Sequence, residues 1–327
     1  AAAVAMGAAV AALGTDTGGS VRLPGSFCGL VGYKPTYGAV SRHGLMAMGS
    51  SLDQAGPLTN SVADAEIIHN VIKGRDPMDA TTITDNTYPN VECKETYRIG
   101  VPRDFMAEGV DADVLERFES SLQALRDNGH EVVDIELPLM KKGLAAYYIV
   151  MPAEVSSNLA RYDGVRYGHR ANGKDLMEDY LLSRAEGFGE EVKRRILLGT
   201  YVLSAGYYDA YYGKAERARD LMREELNAAF KNVDVIMTPT CATPAFKIGE
   251  KSDPLAMYLT DIFTVPVNLT GVPAISIPWG TVERDGSNDP SSQQQEASQL
   301  PVGVQCIAPH AGDDRLFDIG KKLESIR

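Results

Sequence analysis

The spacing of apolar and polar positions changes character several times along the 327 residues. The opening run AAAVAMGAAVAAL is Ala-rich and helix-like, with no Ser, Thr, Asp or Asn before it as a cap. Gly14–Ser20 follows as a Gly-rich loop. Gly25–Pro57 is a series of short apolar pieces broken by Gly and Pro, which predicts strands and turns. SVADAEIIHNVIKG, from Ser61, has the 3.6-residue period of a helix ending near Gly74. Asp76–Glu95 is polar and irregular and reads as a surface excursion. Tyr97–Pro102 predicts a strand, Asp113–Asn128 an amphipathic helix closed by Gly129, and His130–Pro138 another strand. Strand, helix, strand at this spacing is a βαβ unit, whose strands pair in parallel.

Tyr147 to Lys231 is largely helical in pattern, broken around Asp163–Gly164, Ala171–Gly173 and Gly187–Gly189. Val233–Thr240, Val272–Trp279 and Pro301–Pro309 are short β-branched runs that predict interior strands. Arg284–Gln299, rich in Ser, Gln, Asp and Gly, reads as a flexible hairpin connection, and Asp313 onward as a helix reaching Arg327 with no Gly or Pro terminator. No repeat of 20–50 residues is visible, which removes solenoids and propellers. The elements together predict an α/β protein.

Charge changes this picture more than composition does. With 44% hydrophobic and 23% charged residues, the chain can bury a large core. Lys+Arg 32 against Asp+Glu 44 leaves a net −12, which argues against gripping nucleic acid or an anionic membrane unaided. Residues 1–60 hold only Arg22, Lys34, Arg42, Asp16 and Asp53, yet 11 of the 31 glycines, so they read as interior backbone. The start on Ala1, within helix-like sequence, reads as a chain whose beginning lies elsewhere. The 13-residue opening run is shorter than the roughly 20 apolar residues of a membrane span, and it lacks the basic lead of a signal peptide. The cysteines and histidines show no metal-ligand or disulfide spacing, which predicts no metal site and a reducing, cytoplasmic setting.

The densest chemical signal is GTDTGGSVR, Gly14 to Arg22. A phosphate loop would need Lys where Ser20 stands, and a nucleophile elbow would need Gly where Arg22 stands. What the segment offers is a run of backbone N–H groups at Thr17, Gly18, Gly19 and Ser20, a nest suited to an oxyanion beside a serine nucleophile. An ordinary Gly-rich turn is the alternative. No histidine is placed to activate Ser20. Lys34, the single Lys of the first sixty residues, would have to lose its proton by desolvation, and GYKPT reads more simply as a structural turn.

LGTDTGGSVRLPGSFCGLVGYKPTYGAVSRHGL (Leu13–Leu45) followed by SSLDQAGPLTNSVADA (Ser50–Ala65) resembles the signature of the amidase signature family. GRDPMDAT, YRIGVPRDF, VKRRILLGTYVLSAGYYDAYYGKA and DPLAMYLTDIFTVPVNLTGVPAISIP resemble the branch of that family that supplies ammonia to tRNA-dependent amidotransferases, across essentially the whole chain. The resemblance implies an α/β amidase signature fold, a mixed central sheet sandwiched between layers of helices. Residues 1–327 would be a single such domain lacking its N-terminal part, and with it the cis-Ser and Lys of a Ser, cis-Ser, Lys triad; the last residues could be clipped too.

Residue by residue, Ser20 matches the acyl-ester nucleophile and Thr17, Gly18 and Gly19 the oxyanion loop. Arg195 matches the partner of the glutamine α-carboxylate, Asp261 that of its α-ammonium, and Tyr147 the pocket wall. From the residues alone Arg194 and Arg195 are barely distinguishable. Arg195 could equally be a solvated ion pair with Glu190 or Glu191, and Asp261 a cap or buried hydrogen bond. Tyr207, Tyr208, Tyr211 and Tyr212 read as one helix face, a core or subunit contact.

The implied function is a glutaminase subunit, part of a ligase complex forming carbon–nitrogen bonds with glutamine as amido donor. It would convert Glu-tRNA(Gln) to Gln-tRNA(Gln), Asp-tRNA(Asn) to Asn-tRNA(Asn), or both. No cofactor is expected on this subunit. The B and C subunits would complete a heterotrimer, with tRNA held mainly by B, where ATP and Mg2+ are used. A free-standing amidase and an inactive fragment or assembly scaffold are the rival readings, and the 327 residues alone are expected to lack glutaminase activity.

Overall fold

The structure, a computed structural model, describes residues 1–84, 93–251, 257–284 and 298–327. In chain order the elements are α1 (Ala2–Ala5), β1 (Ala12–Asp16), α2 (Arg22–Phe27), β2 (Val31–Lys34), β3 (Gln54–Thr59) and α3 (Val62–Ile72). Then come β4 (Arg98–Val101), α4 (Ala112–Asp127), β5 (Glu131–Asp134), α5 (Gly143–Asn158), α6 (Leu176–Gly187), α7 (Glu190–Val202) and α8 (Gly213–Ala229). The chain closes with β6 (Val235–Pro239), α9 (Val265–Thr270), β7 (Ala274–Arg284), β8 (Ser298–Ile307) and α10 (Asp313–Ile326). The strands form one mixed sheet in the order β1-β3-β2-β7-β8-β6-β4-β5. The expected βαβ unit is present, with β4 and β5 parallel from Arg98↔Glu131 to Val101↔Asp134.

Three expectations fail at the start of the chain. The Ala-rich run is not one helix: α1 stops at Ala5, Gly7 turns at φ +74°, and the chain re-enters as β1, paired antiparallel to β3. Pairing with β3 outweighs the helix preference of alanine. The six-residue α2 opens straight after the loop and runs into Gly25–Phe27, the start of the stretch expected to form strands and turns. Nor are residues 1–60 uniformly interior. Asp16, Arg22 and Lys34 are wholly buried, but Met6, Val10, Leu13, Leu45 and Met46 are exposed. The pattern around 207–212 is a π-helical turn, not a regular α-helical face, and Tyr207, Tyr208 and Tyr211 are exposed there. The turn region around Arg284–Gln299 lies mostly outside the described residues, as does part of Asp76–Glu95; β7 and β8 do pair antiparallel up to Arg284↔Ser298.

Helices cover both faces of the sheet. Side chains of β7 alternate, so Ile277 meets Gly320 of α10 and Val62 of α3, while Ser276 lies opposite, close to Ser26 of α2. The first face holds the main core, with Phe118, Leu122 and Leu125 of α4 and Phe317 and Leu323 of α10. The second face is polar at its centre. Gln305, Thr238 and Ser276 are buried there under α2, and beyond them α5, α8 and α9 pack around Tyr147, Val150, Met151, Met222 and Leu269. The Gly-rich loop emerges between α2 and α9 on this polar face. Among the described residues no helix is long and apolar enough to cross a membrane.

Candidate active site

The loop between β1 and α2 is shaped by Asp16. Its carboxylate accepts from the N–H of Gly19 (2.7 Å) and Val21 (3.2 Å) and from Nε and Nη2 of Arg22 (3.0 Å each). Arg22 in turn donates through Nη1 to Gln305 Oε1 (2.6 Å) and through Nη2 to Asn268 Oδ1. Asn268 Nδ2 returns two bonds, to the carbonyl and carboxylate of Asp16 (2.9 and 3.0 Å), and Gln305 Nε2 donates to Thr238 Oγ1 and the Phe263 carbonyl (3.0 Å each). All four side chains are wholly buried. Burial alone would raise the Asp16 pKa, but Arg22, by charge and hydrogen bond, holds it down at about 2.

This fastening dictates glycine in the loop. Gly19 takes φ +138°, and a Cβ there would stand 2.4 Å from Thr264 Oγ1, the hydroxyl that donates to the Gly18 carbonyl (2.6 Å). A Cβ on Gly18 would stand 2.9 Å from the Tyr147 hydroxyl oxygen, so the ring of Tyr147 lies directly on the loop. Of the expected oxyanion donors, Gly19 has its N–H committed to Asp16. The N–H groups of Thr17, Gly18 and Ser20 have no acceptor among the described residues. Ser20 is exposed at the end of the loop and its hydroxyl carries no internal hydrogen bond there.

Lys34 does not serve Ser20. It is wholly buried in β2, and its three N–H donors go to the carbonyl oxygens of Pro35 (3.0 Å), Gln54 (Oε1, 2.9 Å) and Val272 (2.6 Å). Burial, reinforced by the charge of Arg22, pushes its pKa well below the usual lysine range. It is structural, as the sequence suggests, but in a strand.

Tyr147, Arg195 and Asp261 come together on one side of the loop. Tyr147, from α5, is 4% exposed. Its ring sits edge-on to Tyr148 (5.1 Å), which stacks on Tyr258 (3.9 Å). Pro152 lies within α5, and α7 approaches it so closely that a Cβ on Gly199 would stand 1.8 Å from the Pro152 carbonyl oxygen. That contact brings Arg195 of α7 against Met151 (Nη1–Sδ 3.6 Å). Arg195 Nε donates to Glu191 Oε1 (2.7 Å), the oxygen that also accepts from the Tyr258 hydroxyl (3.2 Å). Both arginines pair with Glu191, but Arg195 is the half-buried one, its side chain 22% exposed against 47% for Arg194.

Asp261 lies across from Arg195. It accepts from the hydroxyls of Tyr148 (3.5 Å) and Thr260 (3.3 Å), and no cationic group pairs with it among the described residues. Burial pushes its pKa up to about 6, with the negative charge of Asp16 adding to the effect; the two hydroxyls and Arg195 offset this only in part. A half-buried guanidinium facing a partly buried carboxylate that has no cationic partner among the described residues suits a ligand bearing its own carboxylate and ammonium. Among the described residues no group of three His, Cys, Asp or Glu side chains could hold a metal ion.

Sequence reasoning missed the supporting residues. Asp16, Arg22, Asn268 and Gln305 lie in motifs it singled out or in runs it read as apolar, and Glu191, Tyr148 and Tyr258 gave no signal of their own. The one available hint was the polar side chain set inside each β-branched run, Gln305 in VGVQCI above all.

A serine on a strand-to-helix loop with open backbone donors, over a mixed sheet between helical layers, is an arrangement suited to acyl transfer. The family model described as Amidase matches residues 1–317, and the chain belongs to that family, the amidase signature proteins. Two similar curated proteins are more particular, each named as the A subunit of a glutamyl-tRNA(Gln) amidotransferase. The chain is 50% identical over 336 residues to the one from Paenarthrobacter aurescens, covering 100% of this chain and 62% of that protein. It is 54% identical over 312 residues to the one from Thermodesulfovibrio yellowstonii, covering 94% and 62%. A crystal structure of the Thermotoga maritima counterpart superposes with a TM-score of 0.77 at 44% identity, over 99% of this chain and 64% of that one. The chain thus spans a little under two thirds of the length of these relatives.

Proposed function

We propose that the chain is the glutamine-hydrolysing part of a tRNA-dependent amidotransferase. In this reading Ser20 Oγ attacks the side-chain amide carbon of glutamine, and the N–H groups of Thr17, Gly18 and Ser20 hold the oxygen of the tetrahedral intermediate. The C–N bond breaks, ammonia leaves with the serine proton, and water then hydrolyses the glutamyl ester to glutamate and free Ser20. Activation of Ser20 falls to a base outside the described residues. Arg195 takes the α-carboxylate, Asp261 the α-ammonium, and Tyr147 forms the wall between them and the loop. The residues form a single amidase signature domain.

The observation that carries the reading is Asp261, a partly buried carboxylate opposite Arg195 that has no cationic partner among the described residues. A simple amide offers neither a carboxylate to Arg195, which already pairs with Glu191, nor an ammonium to Asp261, whereas a free amino acid offers both. Names of relatives at about 50% identity agree. The ammonia is consumed in a complex with B and C subunits in the cytoplasm, where the B subunit binds tRNA and uses ATP and Mg2+ to activate the misacylated glutamate or aspartate. The net charge of −12 suits a component that leaves the phosphates to a partner. The test is Ser20→Ala in the full reading frame that carries these residues, assembled with its partners. Glutamine-dependent amidation should disappear while amidation with added ammonia persists; retention of the glutamine-dependent reaction would overturn the assignment.

A further inference from the structure

The oxyanion loop is held from outside by a residue of a different motif. Asp53 ends the turn that precedes β3 and is buried, 7% exposed. Its Oδ2 accepts from the N–H of Met48 (2.8 Å) and Gly49 (2.9 Å), closing its own turn. Its Oδ1 accepts from the hydroxyl of Thr17 (3.0 Å), 36 residues earlier. The methyl of Thr17 rests on the same turn, since a Cβ on Gly49 would lie 3.2 Å from Thr17 Cγ2. Both branches of Thr17 are thereby fixed by the 48–53 turn, and the β-branched side chain has little rotamer freedom left.

The loop's fastenings therefore include Asp16 on the Gly19 N–H, Asn268 on the Asp16 carbonyl, Thr264 on the Gly18 carbonyl, and Asp53 on the Thr17 side chain. The first three act within the Asp16–Arg22 network and the segment around α9. Asp53 is the one that grips the Thr17 side chain, at the residue between the open Thr17 and Gly18 N–H groups. We infer that Asp53 is a positioning residue for the oxyanion donors, holding the Thr17–Gly18 backbone in its receptive orientation through the Thr17 hydroxyl. It touches neither Ser20 nor substrate. The inference rests on the reading of Ser20 as an acyl-transfer nucleophile, but it does not depend on which amide is the substrate.

Preorganised donors act on the transition state more than on the bound ground state, so loosening them lowers kcat and leaves KM nearly alone. Removing an oxyanion donor outright lowers kcat by roughly 10²–10³-fold, and a misplaced one should cost part of that. The experiment compares Thr17→Val, Asp53→Ala and the double variant in the full reading frame, with turnover per active serine counted by a covalent Ser20 label. Substrates are glutamine and an activated ester such as p-nitrophenyl acetate, so that a failure of the glutamine assignment shows separately. Each single variant should lose about 10- to 100-fold in kcat on whichever substrate turns over, with KM changed less than about threefold, and the double should be no worse than the poorer single. Asp53→Asn, which can still bond Thr17 through its amide, should recover much of the loss. Thr17→Val leaves the Met48 and Gly49 bonds intact, so it decides the matter if Asp53→Ala does not fold. Unchanged kcat per labelled serine in Thr17→Val, or losses that multiply in the double variant, would overturn the inference.

Discussion

The two sides of the site are built on opposite electrostatic plans. Beneath the loop, Asp16, Arg22, Asn268 and Gln305 are wholly buried and bonded to one another, so every charge has its counter-charge inside the protein. Across the loop, Arg195 shares one half-exposed glutamate with Arg194 and Tyr258, and Asp261 has hydroxyls but no cationic partner among the described residues. A closed network fixes geometry, whereas an open one is ready for a ligand. The difference predicts which substitutions unfold the protein and which merely empty the site.

The largest effect should come from the closed side. Arg22→Ala leaves the Asp16 carboxylate buried without its partner, a change that typically removes about 3–5 kcal/mol of stability, measurable by chemical denaturation. Arg195→Ala should remove only about 1 kcal/mol or less, because its Glu191 partner is half in water. Its loss should instead appear in recognition: the preference for glutamine over propionamide, taken as a ratio of kcat/KM values, should drop about 30- to 100-fold. Equal losses of stability in the two variants would erase the contrast.

Asp261 should behave in the reverse sense from a paired carboxylate. Its folded pKa, about 6, lies above the ordinary 3.8, so the folded state binds a proton more tightly than the unfolded state. Asp261 therefore costs stability above pH 6, and the cost is relieved as pH falls from 6 to below 3.8. Asp261→Asn should stabilise the protein at pH 8 by on the order of 2 kcal/mol, and by nothing near pH 3.5, in paired melting curves. Such a gain made at the expense of binding is the mark of a functional charge. The smallest change belongs to Tyr258→Phe, which deletes one bond to Glu191 and keeps the stack on Tyr148; less than about 1 kcal/mol should be lost in either stability or glutamine affinity.

The two sides also differ in how much of them the sequence makes legible. The loop is a contiguous string, and its meaning follows from local rules: glycines for close approach, backbone donors, an exposed serine. What binds it is not contiguous. Asn268 and Gln305 reach Asp16 and Arg22 from 246 or more residues away because α9 and β8 flank α2, an adjacency set by strand order. Arg195 and Arg194 look alike on paper and are separated only by the rotation of α7 against α5 at the Gly199–Pro152 contact. Periodicity revealed α3, α4, α10 and the β4–α4–β5 unit because those helices carry one apolar face. It failed for the opening alanines, where propensity favours a helix but Gly7 turns the chain and pairing with β3 takes Ala12 and Leu13 into β1.

The central claim is that Asp261, which has no cation of its own among the described residues, receives the ammonium of glutamine. Calorimetric titration of glutamine into the full-length Ser20→Ala protein between pH 5 and pH 8 addresses it directly, since binding is then seen without turnover. The affinity should be constant at the upper end, weaken as pH falls through about 6, and be largely lost at every pH in Asp261→Asn. Affinity that is flat across that range, or that survives the asparagine substitution, would contradict the claim.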